Sequence, residues 1–349
     1  MMNNQTGIQT RERSAYEAIR SGIGVIELSS AGKIVVKGDE HVEFLDGLVT
    51  KDIQFMEEEK TAYALLLRED GTVIDLVNLF KNEDSITIIT ASDKKEQVLA
   101  WLQENREKQE NQVEIEDISE SHSLIGFEGP YAWKLAQQFL HFEISSLPFQ
   151  SFAPTTFQGT EIILARTGVT GEYGYQLLFE RELRDAVLEM MNSFEEIALQ
   201  DVDKEALETA MLEIRHPYFE FKQGQELSLF EVCLEWFVDF YKDAFIGKEF
   251  LEQQLEKGIS QRIVGFTTDS ENPVSLDDEI YVGEHAIGKV IEFKESPGLH
   301  AKLGIGLLRE PFAVSGIHFQ IKDKQNRIFE ATTQSSPYIL CKSWEMKTI

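Results

Sequence analysis

The sequence has few cysteines and no clustered histidines. Its two cysteines, Cys233 and Cys341, belong to no C-x-x-C or Cys/His pattern, which argues against a disulfide framework and a zinc ribbon. The seven histidines are dispersed, and no two of them lie three or four residues apart. We therefore expect buried, reduced thiols and no metal site.

Basic side chains are also scarce, with 33 Lys and Arg against 61 Asp and Glu and a formal net charge of -28. Proteins that coat nucleic acids need clustered Lys and Arg to neutralise phosphates, so this class is disfavoured. No apolar run approaches the roughly 20 residues that span a bilayer. The N-terminus lacks the charged-then-apolar order of a secretory signal. The sequence predicts a cytoplasmic protein with neither nucleic acid nor membrane as a partner.

The order of predicted elements indicates an α+β protein with two domains. Strands over Thr61–Arg68 and Thr72–Lys81 are joined by a turn whose Gly71 suits positive φ, and an amphipathic helix is expected over Asp93–Lys108. From Gln261 onward, short alternating runs separated by turn signals predict a small β-barrel or sandwich. We place the domains at residues 1–255 and 256–349.

One segment combines backbone freedom with polar groups. It runs from Arg166 to Leu177, directly after a strand-like stretch, and has glycines at every third position from Gly168 to Gly174. Its polar side chains could orient a flat, polar ligand; they are Arg166, Thr167, Thr170, Glu172 and Gln176. The alternative interpretation is an ordinary hairpin turn, which clusters of glycine and threonine usually form.

This segment resembles R-T-G-x-T-G-E-x-G-[YF]-x-[IL], the signature of the tetrahydrofolate-binding aminomethyltransferases, which comprise the glycine cleavage T-protein and its relatives. Several motifs in one order are more specific than any one of them. Further segments that resemble family motifs, in family order, are Ala18–Ser29, Phe44–Ile53, Gly71–Val77, Ile125–Pro130 and Phe245–Glu249.

The resemblance implies a folate-binding core of two interleaved α+β subdomains beside a small C-terminal β-barrel. It also implies one-carbon transfer, in which an aminomethyl group passes from a lipoyl carrier protein to tetrahydrofolate, giving methylene-tetrahydrofolate and ammonia. The segment that precedes A-V-R in T-proteins is expected to be short here, at Met1–Glu17, so the chain resembles a divergent member.

The resemblance assigns chemistry to Asp75, the first aspartate of the I-D-D-L motif. Its carboxylate would orient the reacting folate nitrogen and stabilise the positive charge that develops during transfer. The alternative is a solvated acid on the outer face of a strand. The resemblance, together with the basic residues near its motifs, predicts six folate-binding residues. They are Arg166, Thr167, Thr170, Glu172, Gln176 and Arg215. Lys222 and Lys248 are further basic candidates for an anionic ligand.

Two positions depart from the family pattern. Gln176 stands where the family usually has a glutamate, and a carboxamide accepts one hydrogen bond from a pterin edge where a carboxylate accepts two. Met211 stands in place of a folate-contacting arginine. Arg215 could substitute for that arginine if the helix continues that far. The second aspartate of the I-D-D-L motif is Leu76 in this chain.

Three functions therefore stay open. The first is a tetrahydrofolate-dependent aminomethyltransferase. The second is a folate-binding accessory protein without transfer chemistry, similar to the relatives that support iron-sulfur cluster maintenance and tRNA modification. The third is a protein whose pocket binds another flat or anionic metabolite.

Overall fold

A computed structural model describes residues 14–109, 112–217 and 227–346. Its contacts divide the chain into two compact units, and the chain passes between them more than once. The core unit lies within residues 1–206, 237–248 and 341–349, and the barrel unit within residues 207–236 and 249–340. The boundary that the sequence predicts at residue 255 stays a prediction.

Most helices of the described chain are short, and the first has a clear sequence reason for its start. The first begins after Ser14, whose side chain and that of Glu17 form a reciprocal capping box. No helix in these ranges is long and apolar enough to cross a membrane. The helices are α1 (Ala15–Ser21), α2 (His41–Asp46), α3 (Lys95–Gln109), α4 (Ala132–Ala136), α5 (Arg184–Asn192), α6 (Lys204–Glu213) and α7 (Lys248–Lys257).

Eleven strands of the core unit form one sheet in the order β11-β1-β7-β10-β9-β8-β3-β4-β5-β2-β6. Apart from the parallel pair β1 and β11, its neighbouring strands run antiparallel. The strands are β1 (Ile23–Glu27), β2 (Lys33–Lys37), β3 (Lys60–Leu67), β4 (Val73–Lys81), β5 (Ser85–Ile89), β6 (Glu114–Asp117), β7 (His122–Glu128), β8 (Ser151–Phe157), β9 (Thr160–Arg166), β10 (Gly174–Glu180) and β11 (Leu199–Asp201).

The faces of this sheet bury three separate apolar cores. One core packs beneath α4 and α5, and a second packs beneath α2 and α3. The third joins residues from both halves of the sheet, with the rings of Phe80 on β4 and Phe152 on β8 stacked 5.5 Å apart. Leu178 of β10 also belongs to this third core. The side chains that β4, β8 and β10 contribute to the third core therefore face one another.

The barrel unit contains a closed barrel in the order β12-β15-β14-β13-β16-β17. Alternating apolar side chains, among them Phe266 and Phe319, fill its interior. The α+β class and the C-terminal barrel that the sequence predicts are confirmed. Its strands are β12 (Gln261–Thr268), β13 (Glu279–Val282), β14 (His285–Ser296), β15 (Ala301–Arg309), β16 (His318–Lys322) and β17 (Ile328–Gln334).

Candidate functional site

The signature segment is the turn of the hairpin between β9 and β10. At Gly168 and Gly174 the backbones of the two hairpin arms lie directly against each other. A Cβ atom added to Gly174 would lie 2.5 Å from the Cα of Gly168 and 2.8 Å from the carbonyl oxygen of Thr167. Gly171, at the turn itself, has φ +80. The glycine spacing therefore serves a tight hairpin whose two arms touch, as well as any ligand beside it.

A buried carboxylate holds this turn from the adjacent strand. Glu128, at the end of β7, accepts hydrogen bonds from the backbone N–H groups of Val169 (3.0 Å to Oε1) and Thr170 (2.9 Å to Oε2). The hydroxyl of Thr170 donates to the same Oε2 at 2.6 Å. Burial raises the pKa of Glu128, and these hydrogen bonds oppose the rise. Sequence reasoning missed this residue; its signal is one acid closing the apolar run Leu124–Phe127.

Glu172 is also engaged by the chain itself. Its carboxylate accepts hydrogen bonds from the backbone N–H groups of Lys342 (3.0 Å) and Ser343 (2.9 Å), and from the Ser343 hydroxyl (2.6 Å). Both residues belong to the short C-terminal part of the core unit. The predicted folate-binding residues Thr170 and Glu172 thus bond to other parts of the core unit.

A polar patch lies on the sheet face opposite α4 and α5. Gln176 alternates with Tyr175 and Leu177, which belong to the core beneath these helices, so its side chain lies on the opposite face. Gln176 pairs with Ala165, two residues before Thr167, which places it diagonally across from Thr167 on that face. The Nδ2 atom of Asn78 donates to the Thr167 hydroxyl at 3.4 Å.

Tyr63 completes the patch as the cross-strand partner of Asn78. Its phenol hydrogen-bonds to Thr167, while burial raises its pKa to about 12, so Tyr63 is neutral at physiological pH. We name the four residues Tyr63, Asn78, Thr167 and Gln176 the amide patch. Sequence reasoning found Thr167 and Gln176 but missed Tyr63 and Asn78, because nothing local marks which strands meet the signature hairpin.

Two acceptors in the amide patch lack partners. The Oδ1 atom of Asn78 and the Oε1 atom of Gln176 are buried without a hydrogen-bond partner in the described parts of the chain. The two residues are 4% and 9% exposed, respectively. An unpaired buried polar atom costs roughly 1–3 kcal/mol, so a folded protein seldom keeps two in one place without a use for them. Both oxygens can accept a hydrogen bond from a ligand or from a buried water.

Asp75 lies on β4, three residues before Asn78. Its Oδ1 accepts the backbone N–H of Leu76 and its Oδ2 accepts that of Ala91, both at 2.9 Å. Burial raises the pKa of Asp75 from 3.8 to about 6, against the lowering effect of these two bonds. Asp75 pairs with Leu66, whose side chain packs in the core under α2 and α3.

The comparison with known proteins agrees with the sequence motifs. Residues 4–242 match the model of the family described as GCVT N-terminal domain. The chain belongs to this family. The family resemblance predicted from the sequence is thereby confirmed.

Relatives in the GCVT family extend the match over most of the chain. An aminomethyltransferase of Alkaliphilus oremlandii (strain OhILAs) is 29% identical over 315 residues, which cover 88% of this chain and 85% of the relative. An aminomethyltransferase of Thermotoga maritima is 25% identical over 323 residues, covering 92% and 87%. The crystal structure of glycine cleavage system aminomethyltransferase T from Bartonella henselae aligns with a TM-score of 0.80 at 19% identity, covering 93% of this chain and 88% of that chain. The last likeness shows the fold.

The basic residues expected to serve a GCVT-family ligand lie in different surroundings. The Nη1 atom of Arg166 donates to the carbonyl oxygen of Leu147 at 2.7 Å, and its guanidinium lies 5.6 Å from the centre of the Tyr173 ring. Lys248 begins α7. Lys222 lies outside the described residues.

The expectation that a helix carries Arg215 on the face of Met211 is wrong. Helix α6 ends at Glu213, and Arg215 has φ +55, a left-handed conformation that no helix can continue. Its Nη2 atom donates to the carbonyl oxygen of Ile263 within the barrel unit at 3.1 Å. Its predicted contact with folate stays a prediction.

Proposed function

We propose that this protein is a tetrahydrofolate-dependent transferase of aminomethyl-derived one-carbon units, with the amide patch as the place where the pteridine ring binds. The observation that supports this proposal is the pair of unpartnered amide oxygens on Asn78 and Gln176. A pteridine edge carries N–H donors, and such donors are the complement of these two oxygens. Membership of the GCVT family supports the choice of ligand.

The amide patch suits a neutral, flat heterocycle. All four of its side chains are uncharged, and a rise of the Tyr63 pKa to about 12 keeps the phenol protonated. Neutral hydrogen-bonding groups orient such a ring without the desolvation cost of burying a charge. In this proposal the Oε1 atom of Gln176 accepts one N–H of the ring, while Thr170 and Glu172 shape the hairpin that carries it.

Arg166 is the proposed partner of the anionic glutamate tail of folate. Arg166 is next to Thr167 in the chain, but alternation along β9 places its side chain on the face of Leu164, opposite the amide patch, so this assignment rests on the family resemblance. Within the described ranges its Nη1 donates to the carbonyl oxygen of Leu147, and a guanidinium carries further N–H donors that could bind a carboxylate. The Arg215 assignment rests on the sequence alone.

Asp75 is the proposed catalytic carboxylate. In the transfer, a folate nitrogen attacks the aminomethyl carbon of the lipoyl carrier, the carbon–sulfur bond returns its electrons to sulfur, and ammonia leaves as the methylene bridge closes. A carboxylate with a pKa of about 6 is mostly ionised at neutral pH and still accepts a proton, which suits a group that stabilises a developing cation. Because Asp75 pairs with Leu66, it lies on the face of β4 opposite Asn78, and its catalytic assignment rests on the family resemblance. Each oxygen of Asp75 retains a lone pair beyond its backbone bond.

One observation favours a second candidate, a folate-binding protein without transfer chemistry. Both carboxylate oxygens of Asp75 already accept backbone N–H groups, which by itself explains why an acid is buried there. In this case the amide patch binds the pteridine, and Asp75 serves only to hold the Leu76 and Ala91 backbone.

A transfer assay separates the two candidates. The purified protein is mixed with tetrahydrofolate and an aminomethyl-loaded lipoyl carrier protein, and methylene-tetrahydrofolate and ammonia are measured. The variants are Asp75→Asn and, as a matched control, Asp70→Asn. Asp70 is an exposed aspartate of the adjoining turn that also accepts a backbone N–H, from Thr72.

A transferase should make both products in equal amounts, and Asp75→Asn should slow it by about 100-fold or more, with Asp70→Asn unchanged. Tetrahydrofolate binding without product would instead support the second candidate. If Asp75→Asn proceeds at the rate of the unmodified protein, Asp75 has no part in the chemistry.

A further inference from the structure

The last described residues of the chain attach to the signature hairpin. After leaving the barrel unit at Leu340, the chain rejoins the core unit, where residues Lys342–Trp344 form one short 3-10 turn. We name residues 341–346 the C-terminal clasp. The clasp lies outside the residues 4–242 that match the GCVT N-terminal domain.

Glu172 is the main attachment point. Its two carboxylate oxygens accept three hydrogen bonds from the clasp: two from the backbone of Lys342 and Ser343, and one from the Ser343 hydroxyl. Hydrogen bonds to a charged acceptor are about twice as strong as neutral ones. Glu172 is 8% exposed, so little water competes for these oxygens.

Further bonds attach the clasp on either side of Glu172 in the sequence. The indole N–H of Trp344 donates to the carbonyl oxygen of Gly171 at 2.9 Å. The hydroxyl of Tyr173 donates to the carbonyl oxygen of Met346 at 2.6 Å. Three consecutive residues of the turn, Gly171 to Tyr173, are therefore bonded to the clasp.

Arg20 of α1 joins the same cluster. Its Nη1 atom donates to the carbonyl oxygen of Thr170 at 2.8 Å and lies 3.8 Å from the Glu172 carboxylate. The same nitrogen lies 3.8 Å from the sulfur of Cys341, which is buried and forms no disulfide. On the other side of the turn, Glu128 holds Val169 and Thr170. The turn is thus fixed between Glu128 and the clasp.

We infer that the C-terminal clasp sets the conformation of the signature turn and so the affinity of the amide patch, with Glu172 as a positioning residue that acts through the clasp. The inference rests on the proposed function for the identity of the ligand. Gln176 lies only four residues beyond Glu172 on the same hairpin. When the clasp detaches from the turn, the turn moves, and the position of the Gln176 carboxamide changes with it. A ligand that fixes Gln176 must in return favour the closed clasp.

The mutual effect of clasp and ligand distinguishes a clasp that positions the binding residues from one that only stabilises the fold. If the clasp changes ligand affinity by some factor, the ligand changes the closing equilibrium of the clasp by the same factor. Couplings of this kind are typically about 5- to 150-fold. A segment that only stabilises the fold would lower the melting temperature when removed and would gain no protection from ligand.

The experiment uses the full chain with Ser343→Ala and Trp344→Phe combined, a pair that removes two clasp donors. Glu172→Gln is a second variant, and Ser335→Ala, at an exposed position of the barrel unit, is the control. Amide hydrogen exchange is measured at Val169, Thr170 and Ser343 with and without tetrahydrofolate, and tetrahydrofolate affinity is measured by calorimetry.

We expect faster exchange at Val169 and Thr170 and at least about fivefold weaker binding in both clasp variants, with the control unchanged. Tetrahydrofolate should slow exchange at Ser343 in the unmodified protein. Unchanged exchange in the turn of both variants would overturn the inference, as would faster exchange with unchanged affinity. If the unmodified protein does not bind tetrahydrofolate, the proposed function fails, and exchange in the unliganded variants alone decides whether the clasp sets the turn.

Discussion

Replacing Asp75 by asparagine should change how stability depends on pH, because Asp75 is a buried acid whose pKa is raised on folding. The carboxylate is 6% exposed and accepts two backbone N–H groups. Asparagine keeps the shape but has one oxygen for two donors, and its NH2 group then faces an N–H. That mismatch costs about 1–3 kcal/mol at every pH.

Titration of Asp75 adds a pH-dependent difference between the stabilities of the unmodified protein and Asp75→Asn, and its sign follows from the direction of the pKa shift. Its folded pKa, about 6, lies above the unfolded value of 3.8, so the folded state holds the proton more tightly. The stability from this proton is fully present below pH 3.8 and is lost as pH rises toward 6. A rise of roughly two pKa units corresponds to about 3 kcal/mol, of which about 2 kcal/mol should be lost between pH 4.5 and 7.

Urea unfolding at several pH values tests this directly. The free energy of unfolding of the unmodified protein minus that of Asp75→Asn should fall by about 2 kcal/mol from pH 4.5 to 7, while other titrating groups cancel in the difference. Asp70→Asn is the control with the opposite sign, because hydrogen bonds from Thr72 lower the pKa of Asp70. A flat difference for Asp75 would refute a buried carboxylate with a raised pKa.

Two further predictions concern the amide patch and its hairpin. Asn78→Leu removes an unpaired buried oxygen, so it should leave the urea midpoint unchanged or higher yet weaken tetrahydrofolate binding at least about fivefold; a lower midpoint with normal affinity would contradict the patch. Gly174→Ala drives a Cβ against the backbone of Gly168 and should cost about 1–3 kcal/mol or more in urea unfolding. Gly47→Ala is the matched control, since its nearest new neighbour is 3.7 Å away, and equal stability of the two alanine variants would show that the hairpin arms do not touch.

The hairpin could be predicted from sequence because its determinants are local. Glycines three residues apart after a strand-like run indicate a tight turn, and the turn does join β9 to β10. The same holds for the turn at Gly71, which has the positive φ that the sequence predicts. The C-terminal barrel likewise followed from short strands separated by turn residues.

The surroundings of Asp75 could not be predicted, because they depend on a strand irregularity. The pairing of β3 with β4 shifts register between Leu66 and Leu67, so simple alternation fails there. Ile74 and Val77, three residues apart, belong to the same core as a result. A pattern of alternating faces drawn from the sequence cannot locate such a bulge.

Other features depend on contacts between distant residues. Glu172 bonds to Lys342 across 170 residues, and no local motif marks either partner. Pro217 indicates that α6 ends before it, but nothing in the sequence marks Arg215 for the left-handed conformation that it adopts. Such contacts are decided by tertiary packing, which sequence periodicity does not encode.

Calorimetric titration with tetrahydrofolate, under reducing and anaerobic conditions, is the most direct test of a folate at the amide patch. The unmodified protein and Gln176→Glu are titrated side by side, since a glutamate at this position accepts two N–H groups where glutamine accepts one. We expect micromolar binding that tightens in Gln176→Glu. The absence of heat at millimolar ligand in both proteins would contradict a folate at this site.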